Sequence, residues 1–163
     1  NQQWRGVVGF FEFLAEVDEV TGKTALRRSP VDYEGREQAA LFRWLQLRHP
    51  AAFKLAYHVP NGGHRVKAVA AKLKAQGVKA GVSDIFLPMA RGGYFGLFIE
   101  FKATPPHDAP VSASQQAFLM AVEQQGYMAL VCRGLHEAMQ VIEGYLALEP
   151  TMINRDQAYG GRS

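Results

Sequence analysis

The sequence predicts an α/β sandwich in which helices flank a small mixed β-sheet. Between residues 34 and 148, segments with helical periodicity alternate with short apolar segments that Gly or Pro residues bound. Two of the apolar segments are separated only by residues 88–93 and should form an antiparallel hairpin. The last strand follows a helix, and a strand reached through such a crossover should run parallel to its neighbour.

Two helices and one strand are predicted in the first half of this region. Residues 34–48 place Leu41, Phe42 and Leu45 at helical spacing, and Pro50 should lie beyond the end of that helix. Residues 53–59 alternate in polarity, which predicts a strand ended by the turn at 60–63. A second helix is predicted over 66–76, with Gly77 as its C-terminal cap and its lysines in solvent.

The second half begins with the hairpin, whose strands are predicted over 82–87 and 94–103. Ser112 is a suitable N-cap for a helix over 112–125, which Gly126 should end. A strand at 127–133 and a helix at 135–148 complete the domain. The predicted organisation is therefore an N-terminal extension packed on the core (1–33), a domain (34–148) and a tail (149–163).

Several classes of protein are disfavoured by the composition. No segment approaches the ~18 consecutive apolar residues of a membrane-spanning helix, and the first ten residues lack the pattern of a secretory signal. The single cysteine, Cys132, lies in an apolar segment and is expected to be a buried strand residue. We therefore expect a soluble, cytoplasmic protein without disulfides and without a membrane partner.

Positive charge is concentrated in one part of the chain. The net charge is only +3, but residues 38–83 contain no Asp or Glu. The same segment contains eight Lys and Arg residues: Arg43, Arg48, Lys54, Arg65, Lys67, Lys72, Lys74 and Lys79. This acid-free segment is typical of a surface that contacts phosphates, although a solvated lysine-rich helix gives the same pattern.

Three charged residues interrupt the apolar hairpin. Alternation along the second strand places Glu100 and Lys102 on one face, and antiparallel pairing should bring Asp84 close to Glu100. Two carboxylates can hold Mg²⁺, which prefers oxygen ligands, and a nearby ammonium can orient or deprotonate a water. A cross-strand salt bridge with Lys102 at the sheet edge is the alternative, and these three residues alone do not exclude it.

Five spaced elements occur in order along the chain: Pro60-Asn-Gly-Gly63-x-Arg65, Leu73-Lys-Ala-x-Gly-Val-Lys-Ala-Gly-Val-Ser-Asp84, Gly96-Leu-Phe-Ile-Glu-Phe-Lys102, Ser112-x-x-Gln115 and Gln125-Gly-Tyr127. Together they resemble the VRR-NUC family, a branch of the PD-(D/E)XK nuclease superfamily. The resemblance implies a restriction-endonuclease-like fold and hydrolysis of DNA phosphodiester bonds with Mg²⁺ or Mn²⁺. Stand-alone proteins of this type are similar to homodimeric enzymes that act on branched or junction DNA.

The resemblance also implies a role for each polar residue of the hairpin and the helix that follows it. Asp84 and Glu100 resemble the metal-binding carboxylates of the family, and the backbone carbonyl of Phe101 would be a further ligand. Lys102 resembles the catalytic lysine. Gln115 resembles the glutamine that holds water or phosphate near the metal.

A glutamate on the first helix usually completes the metal site, and Glu34 and Glu37 are the two candidates. On a helical wheel Glu34 falls on the stripe of Leu41 and Leu45, whereas Glu37 falls on its flank, so we expect Glu34 to be the ligand. Gly35 counts against this expectation, because glycine loosens the first turn of a helix.

The expected DNA contacts come from the acid-free segment. The turn offers exposed backbone amides, and the following helix offers basic side chains. These residues are Asn61, Gly62, Gly63, Arg65, Lys67, Lys72 and Lys74. A turn that only ends a strand remains the alternative for 61–63.

Two features depart from the family pattern. Ser83 stands where Pro usually precedes the aspartate, and residues 103–111 form a longer, more proline-rich link, which leaves substrate preference open. Two further functions also remain open. One is a nuclease-fold protein that binds DNA without catalysis. The other is a DNA-binding subunit of a larger phage or restriction complex, for which the apolar patch at 7–14 would be an interface.

Overall fold

The computed structural model of the chain describes residues 31–60 and 67–152. The predicted turn at 61–63, Arg65, the apolar patch at 7–14 and most of the predicted tail lie outside these ranges. The described elements are α1 (Tyr33–Arg48), α2 (Pro50–Phe53), β1 (Tyr57–His58), α3 (Lys67–Ala75), β2 (Ile85–Leu87), β3 (Leu97–Lys102), α4 (Ala113–Gln124), β4 (Met128–Arg133) and α5 (Leu135–Leu146). Across those two ranges, no helix has both the length and the apolar character needed to cross a membrane.

The strands form one mixed sheet in the order β1-β2-β3-β4. β2 pairs antiparallel with β1 and β3, with Ile85 opposite Ile99 in the hairpin. β3 and β4 run parallel, and α4 is the connection between them, as the crossover pattern predicted. The predicted α/β sandwich around a small mixed sheet is therefore confirmed.

Each face of the sheet is covered by side chains of different character. On one face the aliphatic residues of the strands form the core with α1 and α5, through Leu41, Leu45, Ile142 and Tyr145 among others. The other face is aromatic, and Phe98 stacks on Phe86 and contacts Phe118 of α4 edge to face. Because β3 is covered on both faces, all of its residues except Phe98 are buried.

The strand predicted over residues 53–59 was wrong, because this segment is not a continuous strand. Phe53 ends the short helix α2, and β1 is only two residues long. Pro50 begins α2 instead of only marking the end of α1, because the first position of a helix needs no backbone N–H. Both hairpin strands are also shorter than predicted: β2 covers residues 85–87 and β3 covers residues 97–102, and the two pair over 85–87 and 97–99.

The first turn of α1 is regular despite Gly35. Asp32 is the N-cap, and its Oδ1 accepts a hydrogen bond from the Gly35 N–H at 2.8 Å. A Cβ atom at residue 35 would lie 2.2 Å from the Asp32 carboxylate, so glycine is what permits this cap. Glu34 is therefore part of the helix, and the objection that Gly35 raised does not hold.

Candidate active site

Asp84 lies immediately before β2 and is held against the backbone of β3. Its Oδ2 accepts a hydrogen bond from the Phe101 N–H at 3.0 Å, while its carbonyl accepts one from the Val59 N–H at 2.7 Å. Pairing of Ile85 with Ile99 places Asp84 beside Glu100, as antiparallel pairing predicted. The aspartate is thus fixed where the pairing of the two hairpin strands ends.

Glu100 joins β3 to the first turn of α4. Its Oε1 accepts hydrogen bonds from the Nζ of Lys102, at 2.7 Å, and from the Nε2 of Gln115. The Oε1 of Gln115 in turn accepts a hydrogen bond from the Ser112 N–H at 2.8 Å, which forms half of a capping box. The start of α4 therefore orients Gln115 toward the two charged residues of β3.

The charge on Glu100 is only partly compensated. The residue is fully buried and Lys102 is 5% exposed. Burial raises the pKa of Glu100 to about 7, the Asp84 carboxylate also raises this pKa, and Lys102 opposes both effects. The second oxygen, Oε2, is buried and has no hydrogen-bond partner among the described residues. The site therefore contains a buried carboxylate oxygen without a geometrically sound donor in the described ranges, on a residue that interacts with the Asp84 carboxylate.

Glu34, on α1, lies close enough to Lys102 and Asp84 to interact with both charges. Burial raises its pKa, Lys102 lowers it and Asp84 raises it, which places all three charges within mutual influence. The Glu34 carboxylate also accepts a hydrogen bond from the backbone N–H of Ala103. The N–H groups of Phe101 and Ala103 point to one edge of β3, so the Phe101 carbonyl lies on the edge that Asp84 and Glu34 bind.

Glu37 makes different contacts, although it lies one turn from Glu34. Its Oε1 accepts from the Thr104 N–H at 3.1 Å, and its Oε2 accepts from the Thr104 hydroxyl at 2.8 Å and the Leu135 N–H at 3.0 Å. Burial raises the pKa of Glu37, but these hydrogen bonds outweigh it and the net pKa is lowered. Glu37 therefore fastens the segment after β3 to the start of α5.

Comparison with known proteins identifies the family of this domain. The VRR-NUC domain matches residues 32–136, which include Glu34, both hairpin strands and α4. The chain belongs to the VRR-NUC family. A solved structure described as a VRR-NUC domain protein superposes with a TM-score of 0.64 and 28% sequence identity, over 75% of this chain and 94% of the other. No curated protein sequence is significantly similar.

The VRR-NUC domain is of the nuclease type, which implies DNA as its substrate. Of the DNA-binding residues predicted from sequence, Lys72 and Lys74 are exposed on α3, and Lys67 begins that helix. Two adjoining cavities of about 290 and 340 Å³ share Val78, Lys79 and Val82, and the first extends to Gln115. The groove was not predicted from the sequence. Gly77 and Gly81, which both have positive φ, line its two cavities and are the sequence feature that marks it.

The oxygen donors of Asp84 and Glu100 suit a hard divalent cation. Within residues 31–60 and 67–152, no three His, Cys, Asp or Glu side chains are grouped as a complete metal cluster. Mg²⁺, however, is commonly bound through one or two carboxylates and retains several waters. The convergence of Asp84 and Glu100, with the buried Oε2 of Glu100 unpartnered within those ranges, fits such an ion because a cation would balance both carboxylates.

Cys132 is the buried strand residue that the sequence predicted. It lies in β4 and has no exposed surface. Burial raises the pKa of its thiol to about 12, so it does not form a thiolate nucleophile near neutral pH.

Proposed function

We propose that this VRR-NUC protein is a metal-dependent endonuclease that hydrolyses phosphodiester bonds in branched or junction DNA. The observation that supports it most is the convergence of Asp84 and Glu100 beside the buried ammonium of Lys102. A structural salt bridge would pair one carboxylate with one lysine. Here a second carboxylate lies against the pair, and Oε2 of Glu100 lacks a partner within the described ranges, which a catalytic metal site explains better.

Asp84, Glu100 and the Phe101 carbonyl would hold Mg²⁺ or Mn²⁺, with Glu34 completing the site. When bound, the ion would polarise the phosphate and lower the pKa of a water. The choice of Glu34 over Glu37 is supported by their contacts, because Glu34 lies under the influence of Asp84 and Lys102. The carboxylate of Glu37 instead accepts hydrogen bonds from Thr104 and Leu135.

Lys102 would stabilise the negative charge that develops on the phosphate during hydrolysis. In that reaction a water oxygen bonds to phosphorus and the water loses a proton, while the bond to the sugar oxygen breaks and that oxygen leaves with the electron pair and takes up a proton. A lysine ammonium that is already desolvated acts strongly on such charge, because little water screens it. Gln115, anchored through its capping box, would hold a water or a phosphate oxygen beside Glu100.

We further propose that the DNA strand approaches along the groove between α3 and α4. Exposed Lys72 and Lys74 and the groove residue Lys79 supply positive charge there. The end of this groove at Gln115 is also the start of the proposed catalytic site. We also propose that the protein is a homodimer, as in the related stand-alone enzymes, and light scattering at several protein concentrations would test this state.

Cleavage assays on a panel of DNA structures test the proposal. The protein would be incubated with single-stranded, duplex, flap and four-way junction DNA in Mg²⁺, in Mn²⁺ and in EDTA, beside the Asp84→Asn variant. We expect cleavage of branched DNA that requires the metal and is absent from the variant. Binding without cleavage in every metal would show a non-catalytic DNA-binding protein, and cleavage only with an added partner would show a subunit of a larger complex.

A further inference from the structure

Two aromatic side chains stack on each other at the surface near the proposed catalytic site. The rings of Tyr33, on α1, and His107, in the loop after β3, have centroids 3.8 Å apart and planes inclined by 4°. Tyr33 is 41% exposed, and His107 is also exposed. A stack of this kind leaves part of its ring surface open to a further planar group.

The position of the stacked pair is set by contacts that begin at the end of β3. Directly after Lys102, the Ala103 N–H donates to Glu34 and the Thr104 N–H donates to Glu37. The chain then turns, since the His107 N–H donates to the Thr104 carbonyl at 3.0 Å. The start of α1 thus binds 103, 104 and 107 in succession, and Tyr33 precedes the proposed ligand Glu34 in sequence.

The loop carrying His107 is anchored on both sides of that residue. On the C-terminal side Asp108 forms an ion pair with Arg133 at 3.1 Å, and on the N-terminal side Thr104 is held by Glu37. This is the loop whose length and proline content depart from the family pattern. Because the loop is anchored, the stacked pair is already ordered before a ligand binds. The entropic cost of ordering it on binding is therefore smaller.

We propose that Tyr33 and His107 form a stacking platform for an unpaired nucleobase of the DNA strand next to the scissile phosphate. Every base offers a π-face, so stacking on aromatic side chains is tolerant of sequence, and it is available only to bases that have left the duplex stack. Arg36 is exposed one helical turn beyond Tyr33, where side chains three residues apart are neighbours, and it would supply positive charge beside such a nucleotide. This inference rests on the proposed function and narrows its substrate to DNA with an unpaired nucleotide at the cleavage point.

Fluorescence of 2-aminopurine, placed at the unpaired nucleotide of a flap or inside a matched duplex, tests the platform. Binding of the full chain in EDTA should quench the flap probe. Tyr33→Leu and His107→Ala should each weaken flap binding by about fivefold or more and reduce the quenching, without changing duplex affinity. Tyr33→Phe should retain both properties. Tyr94→Leu is the matched control, because Tyr94 is 37% exposed and lies in the hairpin loop at the opposite end of β2 from Asp84.

The alternative is that the stack only fastens the loop to α1. In that case both variants would weaken flap and duplex binding equally or lower only thermal stability, and either result would overturn the platform. Because binding is measured in EDTA, the result is independent of catalysis. Normal quenching without metal-dependent cleavage would refute the proposed function alone, whereas cleavage with unchanged flap binding in both variants would refute the platform alone.

Discussion

The Nζ of Lys102 donates a hydrogen bond to the Oε1 of Glu100 at 2.7 Å, and both side chains lie on the aromatic face of the sheet, almost entirely out of solvent. Buried ion pairs contribute little net stability, because desolvation offsets the attraction between the charges. Here negative charge also exceeds positive charge, since the carboxylates of Asp84 and Glu34 interact with this pair. Burial is the main cause of the raised pKa values of Glu34 and Glu100, and the Asp84 carboxylate raises both values further. This excess of carboxylates over cations underlies the predictions below.

Removal of either central charge should abolish cleavage. We expect Asp84→Asn and Lys102→Ala each to lower the cleavage rate by about 100-fold or more, because each removes a charge that acts on the reacting phosphate or its metal. The fold should persist, which far-UV circular dichroism would check. Lys102→Met, which keeps the length of the side chain, is the control for packing. A near-normal rate in any of these variants would place the catalytic centre elsewhere.

Asp84→Asn should weaken metal binding without lowering the stability of the metal-free protein. The amide oxygen of Asn can still accept the Phe101 N–H, but the charge that opposes ionisation of Glu100 is gone. Thermal unfolding should therefore show equal or greater stability of the variant without metal, by up to about 1 kcal/mol. Saturating Mn²⁺ at roughly 100 times its Kd should stabilise the wild type by about 2.7 kcal/mol and the variant by much less. Equal metal-induced stabilisation of the two proteins would exclude Asp84 as a ligand.

The two glutamates of α1 should respond differently to the same change. Glu34→Gln should impair metal-dependent cleavage much more than Glu37→Gln, because only Glu34 is influenced by Asp84 and Lys102. Glu37→Gln should instead lower thermal stability, because it weakens the hydrogen bonds from Thr104 and Leu135. Measuring both properties for both variants checks the assignment, and the reverse order in the cleavage rates would transfer the ligand role to Glu37.

The contribution of Glu37 to stability should depend on pH. Its pKa in the folded protein lies below the ordinary value of 4.5, so the folded state favours the ionised form. The stabilisation is then complete above about pH 4.5 and is lost as the pH falls through the lower folded-state pKa. Relative to wild type, Glu37→Gln should unfold about 1–2 kcal/mol more readily at pH 7, a figure reduced for partial exposure. Denaturant titrations should show this difference shrinking near pH 3; a constant difference would mean that the charge of Glu37 is unimportant.

The acid-free segment should supply most phosphate contacts. For the quadruple variant Arg65→Ala, Lys67→Ala, Lys72→Ala and Lys74→Ala, the slope of log affinity against log salt should fall by roughly 0.9 for each lost contact on duplex DNA. Fluorescence anisotropy in EDTA at several salt concentrations would measure it. Arg48→Ala is a single-charge control from the same segment, because Arg48 is exposed but forms an ion pair with Glu143 on α5, and it should leave the slope unchanged. An unchanged slope would assign the four residues to ordinary solvation.

The local sequence was informative wherever neighbouring residues decide the structure. Strand alternation placed Glu100 and Lys102 on one face of β3, and Ser112 was correctly predicted to cap α4. The strand predicted over 53–59 was wrong because alternation in so short a stretch fits a strand and a helix end equally well. Pairing of Tyr57 and His58 with β2, rather than local preference, determines which part of that segment is extended.

The sequence by itself determined the α/β fold, the family and the hairpin that carries Asp84, Glu100 and Lys102, because periodicity and motif spacing record which side chains face inward. Only the tertiary structure showed which partners Glu34 and Glu37 contact and that Tyr33 stacks on His107. Glu37 contacts Thr104 and Leu135 across 67 and 98 residues of chain. A helical wheel shows how far a side chain faces the core, but the partner it meets depends on which distant segment packs there.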